Sequence, residues 1–201
     1  MTSEASGGNE AMREAVNHFH TIRRFRYLSD GERDPSVIAG RQAGSCTGKH
    51  LLLRDRLRAA GYDADVETVE GDFAAGIPPH PTMAPELRAI IAEAGIDDFH
   101  NIVRLNLGDG TTLRLDATWH DGLRAYGFPV NDGWAGAGDT RIALEPRRSL
   151  GIHEDVIAFK KQCLEGFAPE KRERRVRFLK LLSSWIAQVD SSAVNVVRNI
   201  A

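Results

Sequence analysis

A single cysteine stands where a turn of small residues passes into an apolar helical pattern. The run from Arg41 to Leu53 reads RQAGSCTGKHLLL, with Cys46 at the junction. Free N–H groups and the positive dipole end at a helix N-terminus favour an anion, and a cysteine placed there can have a strongly lowered pKa. Cys46 is therefore a candidate nucleophile. The alternative is a small buried apolar residue, the usual role of a lone cysteine.

Residues 100–119 alternate between polar and apolar side chains around a Gly-Asp-Gly turn, which predicts a β-hairpin. A two-residue turn would mix the two faces, whereas a three-residue loop over 108–110 keeps one face apolar. That face carries Val103, Leu105, Leu107, Leu113, Leu115 and Trp119. The opposite face carries His100 and Asp116 as diagonal neighbours within side-chain reach. The pattern therefore predicts a histidine–carboxylate pair.

Cys46, His100 and Asp116 follow the logic of nucleophile, base and orienting carboxylate that thiol catalysis uses. The runs GSCTGKH at 44–50 and LDATW at 115–119, with His100 between them, resemble the transglutaminase-like superfamily of papain-like fold enzymes. The resemblance implies that Cys46 attacks an amide carbonyl, that His100 serves as base and acid, and that Asp116 orients the imidazole. The superfamily includes transglutaminases, peptidases, amidases and deglycosylating enzymes, and some members only bind.

Four further residues are candidates for the surroundings of the thiol. Gln42, four residues before the cysteine, could donate to an oxyanion together with the backbone N–H of Cys46. His50 follows the cysteine by one helical turn and is the rival base. Trp119 and Trp134 could line a substrate cleft, although an isolated tryptophan is as often a core residue.

No metal and no cofactor are expected. The stretch 44–49 partly resembles a phosphate-binding loop. Such a loop needs four residues between its glycines and Ser or Thr after its lysine, whereas here three residues separate Gly44 from Gly48 and His50 follows the lysine. Four scattered histidines are possible metal ligands but lack a recognisable ligand spacing, namely His80, His100, His120 and His153. Lys49 is expected at the surface, and Cys163 is expected to be structural.

Composition limits the class of protein. The 201 residues, 42% hydrophobic and 27% charged, fit one globular domain spanning 1–201. A formal net charge of −2 gives no pull toward nucleic acid or an anionic membrane. The two cysteines have neither metal nor disulfide-framework spacing, which suits a reducing compartment. No stretch approaches the roughly 20 apolar residues of a membrane span, and the N-terminus lacks a signal-peptide pattern. We expect a cytoplasmic protein.

The predicted fold is α+β. We expect a papain-like/transglutaminase-like core over 41–145, in which the nucleophile helix packs on an antiparallel sheet. A helix and loop over 1–40 and helices over 146–201 would be additions. Periodicity predicts helices over 10–26, 47–60, 85–94, 153–167 and 169–189, and strands over 62–69 and 140–144 beside the hairpin.

Several segments between these elements are expected to be irregular. Residues 1–9 are predicted to be disordered, and 28–40 has the composition of a connecting loop. The loops 71–84 and 120–139, rich in glycine and proline, are predicted to act as lids over one small ligand. The basic stretch 171–180 is expected to be a solvated helix face.

The function that the sequence favours is a cysteine-dependent amide hydrolase or acyltransferase, acting through a thioester on Cys46. The substrate would be a small-molecule or peptide amide. Hydrolysis or small-molecule transfer is preferred over cross-linking, because one small domain offers little room for two protein entrances. The alternatives are a catalytically silent binding module of the same fold and a protein cross-linking transglutaminase. The substrate, the acyl acceptor and the oligomeric state stay open.

Overall fold

Helices and strands alternate along the chain in a computed structural model that describes residues 4–198, with side chains described for 12–192. The helices are α1 Glu4–Arg23, α2 Pro35–Arg41, α3 Cys46–Ala59, α4 Pro85–Glu93, α5 Val156–Glu165, α6 Pro169–Arg198 and a 3-10 helix Asp121–Tyr126. The strands are β1 Arg26–Tyr27, β2 Ala43–Gly44, β3 Asp63–Asp72, β4 Asp97–Asn106, β5 Thr112–Leu115 and β6 Glu145–Ile152.

The main sheet has four antiparallel strands in the order β5-β4-β3-β6, and β1 and β2 form a separate parallel pair. Helix α3 packs on β3 and β4. These features confirm the predicted α+β class and the helix on an antiparallel sheet. Among the described residues, no helix combines the length and the apolarity that crossing a membrane requires.

The hairpin of β4 and β5 has the predicted register. Val103 pairs with Leu115 and Leu105 with Leu113. The turn closes with a hydrogen bond from the Leu107 N–H to the Thr111 carbonyl of 2.7 Å, and the loop contains a glycine, residue 110, at φ +87°. Only glycine adopts that left-handed conformation at no steric cost, so the local sequence sets the register.

Arg104 lies opposite Arg114 in this register, and like charges in that position are unfavourable. The buried carboxylate of Glu67, on the neighbouring strand β3, accepts hydrogen bonds from the Arg114 guanidinium. Burial raises the pKa of Glu67, but Arg114 and Arg104 lower it further, so the carboxyl stays ionised. The negative charge of Glu67 therefore reduces the repulsion between Arg104 and Arg114.

Each face of the sheet is covered by a different set of helices, because the buried side chains of the strands alternate. On one face, Val103 and Leu105 pack with residues of α1 and α3, among them Phe19, Ile22, Leu53 and Leu57. On the other face, Ile102 and Val69 pack with residues of α4 and α6, among them Leu87, Ile90, Phe178, Leu182 and Trp185. Strand β4 is thus buried between two apolar clusters.

The predicted strand over 140–144 is wrong, and the edge strand is β6. Backbone N–H groups in the predicted segment bond elsewhere: that of Thr140 donates to the Arg114 carbonyl and that of Ala143 to the Asp116 carboxylate. Strand β6 itself is largely exposed and polar, so it lacks the alternation that marks a half-buried strand.

Three predictions at the chain ends and in the first loop need correction. Residues 35–41 form a helix instead of a loop, because Asp34 caps the N–H groups of Ser36 and Val37 and a proline occupies the first helical position. Helix α1 begins at Glu4, so the expected disorder is wrong for 4–9, and residues 1–3 lie outside the described residues. Helix α6 runs well past the predicted end.

Candidate active site

Cys46 is the first residue of α3, which begins one residue before the predicted start of the helix. Ser45 precedes it in an extended conformation and makes no side-chain cap to the helix. The short pair of β1 and β2 leads into this helix start, with the Leu28 N–H donating to the Gly44 carbonyl at 3.1 Å. The first-turn N–H groups of α3 have no partners within the helix and point toward the thiol's surroundings. The Cys46 side chain is buried, with 6% of the residue exposed.

His100 and Asp116 form the pair that the hairpin predicts. The Nε2 atom of His100, on β4, lies 2.7 Å from Oδ2 of Asp116, the residue that follows β5. Both side chains are buried. A hydrogen bond to a carboxylate at this distance is charge-assisted and fixes the plane of the imidazole ring.

The Asp116 carboxylate is held from several sides. Its Oδ1 accepts from the Thr118 N–H at 2.9 Å, and its Oδ2 accepts from the Ala143 N–H at 2.7 Å. The Asp116 N–H donates to the Thr140 hydroxyl at 2.7 Å. Burial raises the pKa of Asp116 and is the largest single effect, but the charge and hydrogen bond of His100, together with His50 and Thr118, lower it well below the ordinary range. Asp116 is therefore a fixed negative charge.

Nδ1, the second ring nitrogen of His100, is not bonded to Asp116, since Nε2 makes that hydrogen bond. Cys46 and His100 interact electrostatically, and each favours the charged form of the other. Burial lowers the pKa of His100, but Asp116 and then Cys46 raise it to about 10. The ring is therefore an imidazolium near neutral pH.

The pKa of the Cys46 thiol is lowered to about 6. Burial raises it, and this is the largest single effect, but the ammonium group of Lys160 and the imidazolium of His100 together lower it further. Cys46 and His100 thus form a thiolate–imidazolium pair at neutral pH, the state in which sulfur is the nucleophile.

A buried chain of polar groups links the start of α3 to the sheet. The Thr68 hydroxyl donates to Oδ1 of Asn101 at 2.8 Å, and the Asn101 amide donates to the Thr47 hydroxyl at 3.0 Å. The Thr47 hydroxyl lies 3.9 Å from the Cys46 sulfur. Asn101 directly follows His100 on β4, so one strand positions both the imidazole and the residue beside the thiol.

The structure gives His50, the rival base, another partner. Its Nε2 accepts from the Ala117 N–H at 2.7 Å and lies 3.5 Å from Oδ1 of Asp116. Burial lowers the pKa of His50 to about 3, so the ring is neutral. The Ala117 N–H occupies the nitrogen lone pair that a base would use, and His50 supports the segment that carries Asp116.

His50, His100 and Asp116 also bring three potential metal-ligand atoms within 4.8 Å of one another. These atoms are already engaged, because His50 Nε2 accepts from Ala117 and Asp116 accepts from His100 and two backbone N–H groups. A cation would have to break these hydrogen bonds, so the donor set fits a proton network better than a metal. Of the other histidines weighed as ligands, His80 bonds Thr82, His120 bonds Asp190 and His153 bonds Leu150.

Two other candidate site residues lie in surroundings unlike that of the thiol. Gln42 is exposed, in the left-handed conformation that ends α2, whereas the thiol is buried, and its role as an oxyanion donor stays a prediction. Trp134 packs edge-on against Phe19 with ring centroids 4.8 Å apart and donates to the Gly138 carbonyl. It belongs to the core between α1 and α3 and not to a substrate cleft.

Trp119 is a core residue on the His100 side of the sheet, not on the face shared by Leu115. Strand β5 ends at Leu115, so the alternation that predicted its face stops before the tryptophan. Its ring stacks on Phe73 at 6.1 Å, and Phe73 lies 6.3 Å from the His100 ring. The tryptophan therefore stiffens the apolar wall behind the imidazole.

Lys49, expected at the surface, is completely buried. Its ammonium group donates to the carbonyls of Arg23, Phe25 and Thr118 at 3.1, 2.8 and 2.8 Å. Burial lowers the pKa of Lys49 to about 7, but three carbonyl acceptors match the three donors of an ammonium ion. The side chain ties α3 to the end of α1 and to the segment after Asp116.

A cavity of about 800 Å³ lies beside the start of α3. Its wall comes from residues 29–33, from Thr47 and from α5 and α6, not from the loops 71–84 and 120–139 that were predicted as lids. Those loops place apolar side chains in the core, namely Phe73, Ile77, Met83, Leu123, Phe128 and Val130. Burying these side chains holds the loops against the body of the protein.

The sequence did not reveal the charged groups around the thiol. Lys160 on α5 and Arg175 on α6 both act electrostatically on Cys46, and both pair with the buried carboxylate of Asp98. The expectation of a purely solvated basic helix face is therefore wrong at Arg175. Neither Lys160 nor Arg175 belongs to a local sequence motif. Only the tertiary fold places these two side chains near the thiol, unlike other lysines and arginines of the same helices.

Comparison with family models, with curated proteins and with solved structures gives no match to this chain. The geometry and charge of the residues themselves are therefore the evidence for function.

Proposed function

We propose that the chain is a cysteine enzyme that forms a thioester on Cys46 from an amide and then passes the acyl group to water or a small amine. One observation carries the proposal: His100, whose Nε2 lies 2.7 Å from Asp116 Oδ2, interacts electrostatically with Cys46 at the N-terminus of α3. Each member is in the charge state that acyl transfer needs.

In the first half of the reaction, the Cys46 thiolate attacks the amide carbonyl carbon and a C–S bond forms. The carbonyl oxygen becomes an oxyanion, which the Cys46 backbone N–H and the positive end of α3 stabilise. The His100 imidazolium gives its Nδ1 proton to the leaving nitrogen as the C–N bond breaks. An amine departs, and a thioester remains on Cys46.

In the second half, His100 is neutral and takes a proton from water or from an amine that attacks the thioester carbonyl. The C–S bond breaks, the thiolate returns, and the acid or the new amide leaves. Asp116 keeps its charge throughout and favours the imidazolium in both halves. The acceptor, whether water or amine, decides if the enzyme is a hydrolase or an acyltransferase.

The proposal includes a transglutaminase-like, papain-like core. It is supported by the order of cysteine, histidine and aspartate along the chain, by a cysteine at the start of α3, and by the packing of that helix on β4, the strand that carries His100. A cytoplasmic location is part of the same proposal. Since Cys46 is only 6% exposed, a small substrate approaching past Thr47 fits better than two protein chains.

The test is to incubate the protein with a panel of small-molecule and peptide amides and to measure intact mass. The proposal predicts a covalent acyl adduct on Cys46 that disappears when hydroxylamine cleaves the thioester. The Cys46→Ala variant should give no adduct, whereas Cys163→Ala should give the same adduct as the original chain. An adduct that persists in Cys46→Ala would contradict the proposal.

The fate of the thioester separates the remaining functions. Adding water alone or a primary amine to the acylated protein should give a free acid or a small amide. Efficient incorporation of the amine into glutamines of other proteins would identify a cross-linking enzyme instead. A binding module of the same fold would bind an amide without acylation.

A further inference from the structure

The cavity beside the start of α3 has a strongly basic wall. Its volume is about 800 Å³, and it contacts α3 through Thr47, the residue after Cys46. Six basic side chains line it, namely Arg33, Lys160, Lys161, Arg172, Arg175 and Lys180. Among the described residues that line this wall, Glu165 is the one with an acidic side chain. Since the whole chain has a formal net charge of −2, this excess of positive charge is local.

Only half of these cations have carboxylate partners among the described residues. Asp98 pairs with Arg175 at 2.9 Å and with Lys160 at 3.6 Å, and Glu165 pairs with Lys161 at 3.8 Å. The remaining three, Arg33, Arg172 and Lys180, form no ion pair within the described part of the chain. Unneutralised cations that converge on one concave surface attract an anion.

Buried hydrogen-bonding groups also remain free in this wall. The Nε donor of Arg175 and the hydroxyl of Ser183 are buried and, among the described atoms, have no hydrogen-bond partner. Leaving a buried donor unsatisfied is costly, and such groups commonly bond a ligand. Arg175 thus uses one face of its guanidinium for Asp98 and keeps another donor available.

The cavity is joined electrostatically to the thiol. Lys160 lines the cavity and is the main cation that favours the Cys46 thiolate, and Arg175 also lines the cavity and interacts with the same sulfur. An anion held by these side chains would lie next to the reacting centre. A single phosphate would fill little of the volume, so room remains for the body of a larger molecule.

We propose that this cavity binds an anionic group of the acyl substrate, a phosphate or a carboxylate, and so selects negatively charged small molecules for Cys46. The reaction of the bound molecule with Cys46 rests on the proposed function, whereas the binding of the anion does not. Arg172 and Lys180 provide the charge that steers and holds the anion, while Thr47 marks the passage toward the thiol. A small molecule fits better than a nucleic acid, because the cations line a concave site and not an extended track.

The experiment measures anion binding by isothermal titration calorimetry, using pyrophosphate and citrate as probes at constant ionic strength. The Cys46→Ala variant should bind at least as tightly as the original chain, because binding does not need the thiol and the variant removes a negative charge beside the site. The double variant Arg172→Gln/Lys180→Gln should bind at least about tenfold more weakly, since it loses two charge-assisted contacts. Both side chains are exposed, so the variant is expected to fold normally.

Arg88→Gln is the matched control, because Arg88 is an exposed arginine on α4 that does not line the cavity. It should bind the probe as the original chain does. Tighter binding of pyrophosphate would indicate that the anionic group of the substrate is a phosphate. Tighter binding of citrate would indicate a carboxylate. The inference is overturned if neither probe binds, or if Arg88→Gln weakens binding as much as the double variant. If the anions bind but no amide acylates Cys46, the proposed acyl transfer is refuted and the anion site is not. If Cys46 is acylated but neither anion binds, the anion site is refuted and the proposed acyl transfer is not.

Discussion

The charge on the Cys46 sulfur depends on side chains contributed by three distant parts of the chain. His100 lies on β4, Lys160 on α5, and Asp116 after β5 keeps the imidazole protonated. The sequence could reveal three of these residues, because Cys46, His100 and Asp116 occur in a helix-start pattern and an alternating hairpin. Lys160 has no such pattern, since a lone lysine in an amphipathic helix looks the same whether it is solvated or faces a thiol.

Removing the imidazolium should raise the thiol pKa. In the original chain, the rate of iodoacetamide labelling at Cys46 should rise with pH through about 6 and then level off, because the thiolate reacts. In His100→Asn, the thiolate loses its strongest cation partner after Lys160. The midpoint should therefore move upward by about one pH unit or more, and labelling at pH 6 should fall about fivefold or more. Quantitative peptide mass spectrometry measures both profiles.

His50→Asn is the comparison for this prediction, because His50 was the rival base. It should leave the midpoint of Cys46 labelling close to that of the original chain. If His50→Asn moved the midpoint and His100→Asn did not, the assignment of the base would be wrong.

At the scale of elements, the hairpin of β4 and β5 was predictable, and β6, the strand at the opposite edge of the sheet, was not. The alternation of residues 100–119 and the glycine-containing turn determine one register, and it agrees with the observed pairs. Strand β6 is exposed and polar, and the segment predicted in its place bonds Asp116 and Arg114 instead of a neighbouring strand. Such side-chain acceptors come from residues distant in sequence, so no local pattern reveals them.

The attachment of β6 to β3 depends on a close approach at Gly71. A Cβ atom there would lie 2.2 Å from the backbone carbonyl oxygen of Glu145, which a strand cannot move without losing its pairing. Gly71→Ala should therefore lower the free energy of unfolding by about 1–3 kcal/mol. Urea denaturation followed by circular dichroism measures the change.

Gly108→Ala is the matched substitution, since a Cβ atom at Gly108 would meet nothing within 4 Å. Its effect should stay within about 0.5 kcal/mol. Equal effects of the two substitutions would mean that the β3–β6 contact is not as close as described.

Across the molecule, helix α6 belongs to the same core as the strands that carry the site. Phe178 is fully buried and packs edge-on against Phe73 at 5.7 Å, and Phe73 in turn lies beside His100. The sequence predicted this helix from its periodicity. It could not predict that the helix supports the imidazole and lines the basic cavity, because both depend on how α6 is docked.

Phe178→Ala should destabilise the whole protein by about 3–5 kcal/mol, since it removes a large side chain from a filled core. Unfolding should remain a single transition if one domain contains both apolar clusters. Val176→Ala, on the same helix but 46% exposed, should change stability by less than about 0.5 kcal/mol. Differential scanning calorimetry tests both, and two separate transitions would contradict the one-domain prediction.

The central claim is that Cys46 is a thiolate near pH 6 while Cys163 is not. Burial raises the pKa of Cys163, whereas that of Cys46 is about 6, so about half of Cys46 should be ionised at that pH. The direct measurement is the rate of iodoacetamide labelling of each cysteine at pH 6 in one sample, read by peptide mass spectrometry with free cysteine as reference. We predict that Cys46 reacts much faster than free cysteine and that Cys163 reacts slowly. Slow and equal labelling of the two cysteines would contradict the claim.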